Sequence, residues 1–278
     1  MAKGKQQATW EFFGGLLRES REAAGISRTD LGARVFVSGT YIGLFEQGVR
    51  KPQLDVAQRI DEVLQTGGIF ERTCQKLINN SPYASYFHEV AELEAVATKL
   101  CDFGPTVIPG LLQTPEYARA VTVAANPFAT VEYVEEKVSS RIERQSILQD
   151  DATRPEYWVV LHENAIRHPV GGPAAMARQL DHIATLIRQR WVLVTVLPRT
   201  TGAHASMNGT LKLMEFKDQP PTAYTETSFS GTLLDDPAVV KRAQRAYDLL
   251  RVAALSPEAS LALIESAAED FRRCASTT

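Results

Sequence analysis

The chain is short of cysteine. Cys74, Cys101 and Cys274 are odd in number, far apart and without a CxxC pair, which excludes a disulfide framework and a zinc-binding cysteine cluster. It has no run of about 18 apolar residues, and its polar start, Met1-Ala2-Lys3-Gly4-Lys5-Gln6-Gln7, lacks the apolar core of a secretion signal. Neither membrane spanning nor export is expected, and the chain reads as cytoplasmic. A P-loop, a G-x-G-x-x-G and a G-x-S-x-G elbow are all missing, so no cofactor is indicated and His204, Ser206 and Asp218 have no context for a catalytic triad. His162 and His168 lie six apart, but Pro169 and Asn164 break the strand that would put both rings on one face, so no metal site and no enzyme are expected. Net positive charge is also lacking: 30 Lys and Arg stand against 33 Asp and Glu. That balance argues against nucleic-acid binding through bulk charge.

Its distribution argues otherwise. Residues 1–53 carry eight basic and five acidic side chains, a local charge of +3, which leaves −6 on the remainder. A basic head on an acidic body is expected where one small domain meets an anion. With 278 residues, 44% hydrophobic and 23% charged, the chain is an ordinary folded protein long enough for two domains of roughly 100–200 residues or fewer.

Helical spacing of Trp10, Phe13, Leu16, Leu17, Ser20 and Ala24 predicts a first helix over 10–24, stopped at Gly25. Ser27 with Asp30 forms an S-x-x-D capping pattern for a second helix that carries Leu31 and Val35 inward and ends near Phe36. Ser38 caps a third, with Ile42 and Phe45 facing the core and Gly48 and Pro52 closing it; a fourth runs to Gly67-Gly68, and a fifth covers 69–79. The turn-forming stretch Asn79-Asn80-Ser81-Pro82 marks the boundary between domains 1–80 and 81–278. Beyond it, helices are predicted over 83–100, 115–125, 130–149, 173–189, 237–254 and 257–275, the last two opened by Pro237 and Pro257. Strands are predicted over 157–161, 191–197, 211–216 and 222–227. The fold class is α+β: five short helices, then a larger domain with a small, mainly antiparallel sheet in which 211–216 meets 222–227.

Residues 18–52 combine R-x-x-x-G-x-S-x-x-x-L, V-S-x-x-x-I and F-E-x-G-x-R-x-P. In this they resemble the helix-turn-helix of the phage-repressor-like, xenobiotic-response-element family of regulators. A helix fits the major groove of double-stranded DNA, its first residues reaching base edges while the preceding helix rests on phosphates. By position, Gly39, Thr40, Tyr41 and Leu44 face bases, and Ser38, Arg28, Arg50 and Lys51 meet the backbone. Gly39 offers no side chain and Leu44 only an apolar one, so readout leans on Thr40, Tyr41 and thymine methyls. The resemblance implies an architectural ion pair between Arg21 and Glu46. A head of charge +3 binds weakly alone, so a homodimer on paired or palindromic half-sites about 10 base pairs apart is expected.

The segments Phe103–Arg119, Arg141–Gln145, His162–Arg167, Val170–Pro173, Gly202–His204 and Val252–Ser260 resemble a domain of unknown function (DUF5753) fused behind this helix-turn-helix in regulators of actinobacteria such as Streptomyces. That resemblance implies a small acidic partner protein (DUF397-like) encoded nearby and a role in development or antibiotic production. Pro105, Pro109 and Gly110 read either as a packing elbow or as one wall of a ligand or partner groove lined by Gln113, Tyr117 and Arg141. The charged run from Glu132 to Arg144 is a solvated helix face or an interaction surface, and Leu261, Ile264, Ala268 and Phe271 suit either core packing or a dimer contact. The leading expectation is a transcription regulator, with nucleoid-bound DNA as its target. The alternatives are a small-molecule-sensing repressor and an antitoxin-like protein that neutralises its neighbour.

Overall fold

In the computed structural model, which describes residues 2–78, 87–227 and 230–276, the helical spacing of the head becomes five helices: α1 (Ala2–Ala23), α2 (Arg28–Val35), α3 (Gly39–Glu46), α4 (Leu54–Leu64) and α5 (Ile69–Ile78). α1 starts well before Trp10, because the polar residues that precede its apolar face are mostly good helix formers. It stops where Gly25 takes φ +67°, a left-handed conformation that costs glycine little. The Ser27 hydroxyl accepts the Asp30 amide at 3.1 Å and donates to its carboxylate at 2.6 Å, so the predicted cap forms at both ends. Trp10, Phe13, Leu17, Leu31, Val35, Ile42, Phe45, Ile60 and Phe70 make one core. Asp61, buried on α4, accepts the Phe70 and Glu71 amides at 3.1 and 2.7 Å and thereby caps the start of α5.

Compact units divide the chain into Met1–Glu89 and Val90–Thr278. The Asn79–Pro82 stretch lies outside the described residues, as do residues 83–86 of the helix predicted over 83–100. What is described of that helix corrects the prediction. α6 (His88–Glu94) ends early, Val96 is 58% exposed, and Leu100 is fully buried in a strand, β1 (Lys99–Gly104). After a 3₁₀ turn at Gly110–Leu112 come α7 (Pro115–Ala125), α8 (Val131–Arg144) with a 3₁₀ extension to Leu148, and β2 (Glu156–His162). Then follow α9 (Glu163–Arg167), α10 (Pro173–Arg188), β3 (Leu193–Leu197), β4 (Leu211–Glu215), β5 (Thr222–Glu226), β6 (Gly231–Leu234), α11 (Pro237–Ala253) and α12 (Pro257–Ala275). Proline stands in the first turn of α7, α10, α11 and α12, where its missing N–H is not needed.

The sheet is mixed, in the order β3-β2-β1-β4-β5-β6. β1, β2 and β3 run parallel, and the other three pairings, including the predicted β4–β5 pair, are antiparallel. Tyr247 and Leu250 of α11 pack over one face with Cys101, Phe103, Val160, Leu197, Leu211 and Leu213. Ile264 and Ala268 of α12 are fully buried within the unit, so that helix face belongs to the core. The outer edge of β3 is closed: the Val196 amide donates to Ser260 Oγ and its carbonyl accepts from the Leu255 amide, both at 2.9 Å.

A charged knot sits inside this unit. Lys212 of β4 donates to Asp102 at 2.7 Å and to Glu94 at 2.9 Å; Tyr157 donates to Asp102 at 2.6 Å, and Arg144 pairs with Glu94. Burial alone would raise the Glu94 pKa, but Arg144 and Lys212 outweigh it and hold the carboxyl below its usual range.

Candidate nucleic-acid interface

The turn between α2 and α3 is set by two residues. Phe36 takes the left-handed conformation at φ +62° and ends α2, and Ser38 Oγ accepts the Tyr41 amide at 3.3 Å to start α3. The helices then cross so closely that a Cβ at Gly39 would come within 3.0 Å of the Thr29 backbone, and one at Gly32 within 2.7 Å of the Val37 carbonyl. Gly39, which carries no base-reading side chain, is thus demanded by packing.

α3 is divided lengthwise. Tyr41, Ile42, Phe45 and Glu46 are buried, while Thr40 and Gln47 are exposed and Leu44 half-buried. Thr40, Leu44 and Gln47 follow i, i+4, i+7 and form one stripe with Gly39 at its start. Gln47 escaped the sequence reading, although the same helical spacing, carried one turn further, finds it.

Glu46 fixes the orientation of this stripe. Arg21 Nε donates to its Oε1 at 2.5 Å and Arg28 Nε to its Oε2 at 2.7 Å, and Arg21 Nη1 also donates to the Ile26 carbonyl at 2.8 Å. The hydrogen bond to Glu46 lifts the Arg21 pKa above its already high ordinary value. One carboxylate therefore ties α1 and α2 to the helix that presents the stripe. Arg28 remains 45% exposed along its side chain and Lys51 is half-buried, its ammonium 5.1 Å above the Trp10 ring.

Two of the expected DNA contacts are corrected. Tyr41 is only 3% exposed, its ring set edge-on to Phe45 in the core. Arg50 is 1% exposed; its guanidinium lies 4.9 Å over the Tyr41 ring and 3.9 Å from Glu89. The ring and the charge serve each other in the interior, and neither side chain is presented on the surface.

The trio Gln113, Tyr117 and Arg141 is brought together, but not as a groove. Gln113 and Tyr117 are buried; Arg141 donates to Gln113 Oε1 at 2.8 Å, Gln113 Nε2 donates to the Ile108 carbonyl at 2.6 Å, and the Ile108 amide donates to Tyr117 Oη at 3.1 Å. Gln145 and Gln179 complete the bracket through the carbonyls of Gly110, Leu112 and Gln113. These side chains satisfy backbone groups around the half-buried Pro109-Gly110 elbow that its short 3₁₀ turn leaves over. Burial and the nearby Arg144 pull Arg141 below its usual range. His162 closes β2, its Nδ1 accepting the Asn164 amide at 3.1 Å, so α9 separates it from His168.

A family model described as a helix-turn-helix domain matches residues 13–69, and one described as a domain of unknown function (DUF5753) matches residues 87–266. Comparison with curated proteins and with solved structures finds no match in either. The second match takes in most of the chain and the first coincides with the braced helix pair. The chain therefore belongs to the DUF5753 family and carries an N-terminal helix-turn-helix domain.

Proposed function

We propose that the chain is a DNA-binding transcriptional regulator in which residues 1–80 bind double-stranded DNA and residues 81–278 dimerise and receive a signal. One observation carries the first half: a Gly39–Thr40–Leu44–Gln47 stripe, exposed at Thr40 and Gln47, on a helix that the Glu46 carboxylate ties to α1 and α2. Such a stripe offers an amide and a hydroxyl for base edges and a leucine for thymine methyls. Arg28, Ser38 and Lys51, by their places in the chain around this helix, are assigned to phosphates. The expected signal is a small acidic partner protein, and the expected setting is development or secondary metabolism; both rest on the resemblance to actinobacterial regulators. Paired half-sites would suit two copies of so lightly charged a head. Regulation, rather than catalysis, is the role such a helix pair supports.

The test is fluorescence anisotropy of the full chain on DNA from its own promoter, at two salt concentrations and against scrambled competitor. Gln47→Ala or Thr40→Ala should shrink the difference between promoter and scrambled DNA, each by about 1–3 kcal/mol where a base contact is lost. Lys51→Ala should weaken both DNAs alike. Equal binding of promoter and scrambled DNA by the unaltered protein would overturn the reading of this stripe for its own promoter.

A further inference from the structure

The surface of the second unit has an open depression of about 350 Å³ lined by Thr106, Asn164, Arg167, His168 and Arg199, four of them exposed. Its place in the sheet is specific. β1, β2 and β3 are adjacent and parallel, and every lining residue follows the carboxyl end of one of them: Thr106 follows β1, Asn164 to His168 follow β2, and Arg199 follows β3. In sheets with parallel strands the crevice outside the carboxyl ends is the usual ligand position, because the loops there converge while the strands hold them rigid.

The chemistry of the wall narrows the ligand. Its five residues carry two guanidiniums, an imidazole, an amide and a hydroxyl, while most of the surface they turn to it is apolar. Arg167 is locked in place by Asp270 at 2.8 Å and Glu163 at 3.5 Å. Arg199 is held differently: its Nε donates to Asn164 Oδ1 at 2.8 Å and its backbone amide to Glu163 Oε2 at 3.0 Å, while its guanidinium has no carboxylate partner among the described residues. The group is positioned but not neutralised, which is what a bidentate oxyanion contact needs. His162 stands beside it at the end of β2, where burial lowers its pKa first, His204 and Arg199 lower it further, and Glu163 opposes them. The volume lies at the small end of ligand pockets, enough to seat the anionic group of a metabolite.

We propose that this pocket binds a small organic anion through a phosphate or carboxylate group, with Arg199 as its principal contact and Arg167, Asn164, His168 and Thr106 around it. This would be a ligand-receiving site in the DUF5753 domain, distinct from the buried Gln113–Tyr117–Arg141 bracket. It stands independently of DNA binding, since ligand uptake is measured without DNA.

The experiment is thermal unfolding of the full chain with inorganic phosphate or succinate, each against sodium chloride at matched ionic strength, followed by calorimetric titration of the anion that acts. A ligand that binds the native state raises the midpoint steadily with concentration. The expected result is such a rise for at least one oxyanion and none for chloride. Arg199→Gln, a change at an exposed side chain, should weaken the calorimetric affinity about tenfold, as loss of a charge-assisted contact does. A response to phosphate alone assigns a phosphorylated metabolite, and one to succinate alone a carboxylate. No rise beyond chloride with either anion overturns the proposal. An unchanged rise in the Arg199→Gln protein does so equally, because the anion would then be bound elsewhere, for example on the basic head.

Discussion

Tyr41 shows how a residue can occupy a reading position in sequence and a packing position in space. Its ring lies between Phe45 and the Arg50 guanidinium, so its energetic weight is in the core. Tyr41→Phe, which keeps the ring, should leave DNA discrimination unchanged, whereas Tyr41→Ala should cost the head about 3–5 kcal/mol, as removal of a buried aromatic side chain does. Denaturant unfolding and competition anisotropy on the same variants separate the two effects. A loss of promoter preference in a stable Tyr41→Phe protein would return the residue to the DNA surface. His182 on α10 supplies a pH test. Burial holds its pKa below the ordinary 6.5, so the unfolded chain binds a proton that the folded chain refuses. Its contribution to stability is complete above pH 6.5 and is lost as the pH falls toward the lowered native value. Thermal midpoints measured across that window should fall on acidification, and His182→Gln should flatten the fall; an equally steep fall in the variant would move the cause to other groups.

At the level of elements, local propensity and tertiary packing pull in opposite directions at Gly32. Alanine in the middle of α2 should favour the helix by about 1 kcal/mol. Yet its Cβ would press on the Val37 carbonyl at 2.7 Å. Packing wins: Gly32→Ala should destabilise the head by about 1–3 kcal/mol, read by denaturant unfolding, and a stabilised variant would show that the α2–α3 crossing can open. In the sheet, Lys212→Met should cost about 3–5 kcal/mol in the unfolding of the second unit, because Glu94 and Asp102 would share a dry interior with one cation fewer. These cases mark what the sequence makes legible. Ser27 with Asp30, Ser38, Gly25, Pro237 and Pro257 act within one turn of helix, and their elements form where the spacing places them. The β4–β5 pair is legible for the same reason, being adjacent in sequence and rich in strand formers. β1 is hidden because Asp102 at its centre reads as a strand breaker until Tyr157 and Lys212, some 55 and 110 residues away in sequence, answer it. β6 is only four residues long, and its pairing with β5 is the chief signal of it. Arg50, likewise, reads as a surface cation until Tyr41 and Glu89 enclose it.

At the scale of the whole molecule, the charge asymmetry becomes a count of heads on DNA. Each phosphate neutralised by a cation contributes about −0.9 to the slope of log affinity against log salt. With Arg50 withdrawn into the core, the cations left among the expected phosphate contacts are Arg28 and Lys51. One head therefore accounts for a slope of about −2, and two heads on paired half-sites for about −4. The overall charge of −3 adds no general attraction for DNA to blur the difference. Titrating the full chain onto a promoter fragment across a salt series, with the mass of the complex measured by light scattering, reads slope and stoichiometry together. A slope near −4 with two chains bound supports dimeric recognition, and Lys51→Ala should then lower its magnitude by about 2, one contact from each copy. A slope near −2 with one chain bound would mean that a single head suffices for this DNA, and the weak affinity of so few contacts would place the remaining binding energy in whatever joins the second unit.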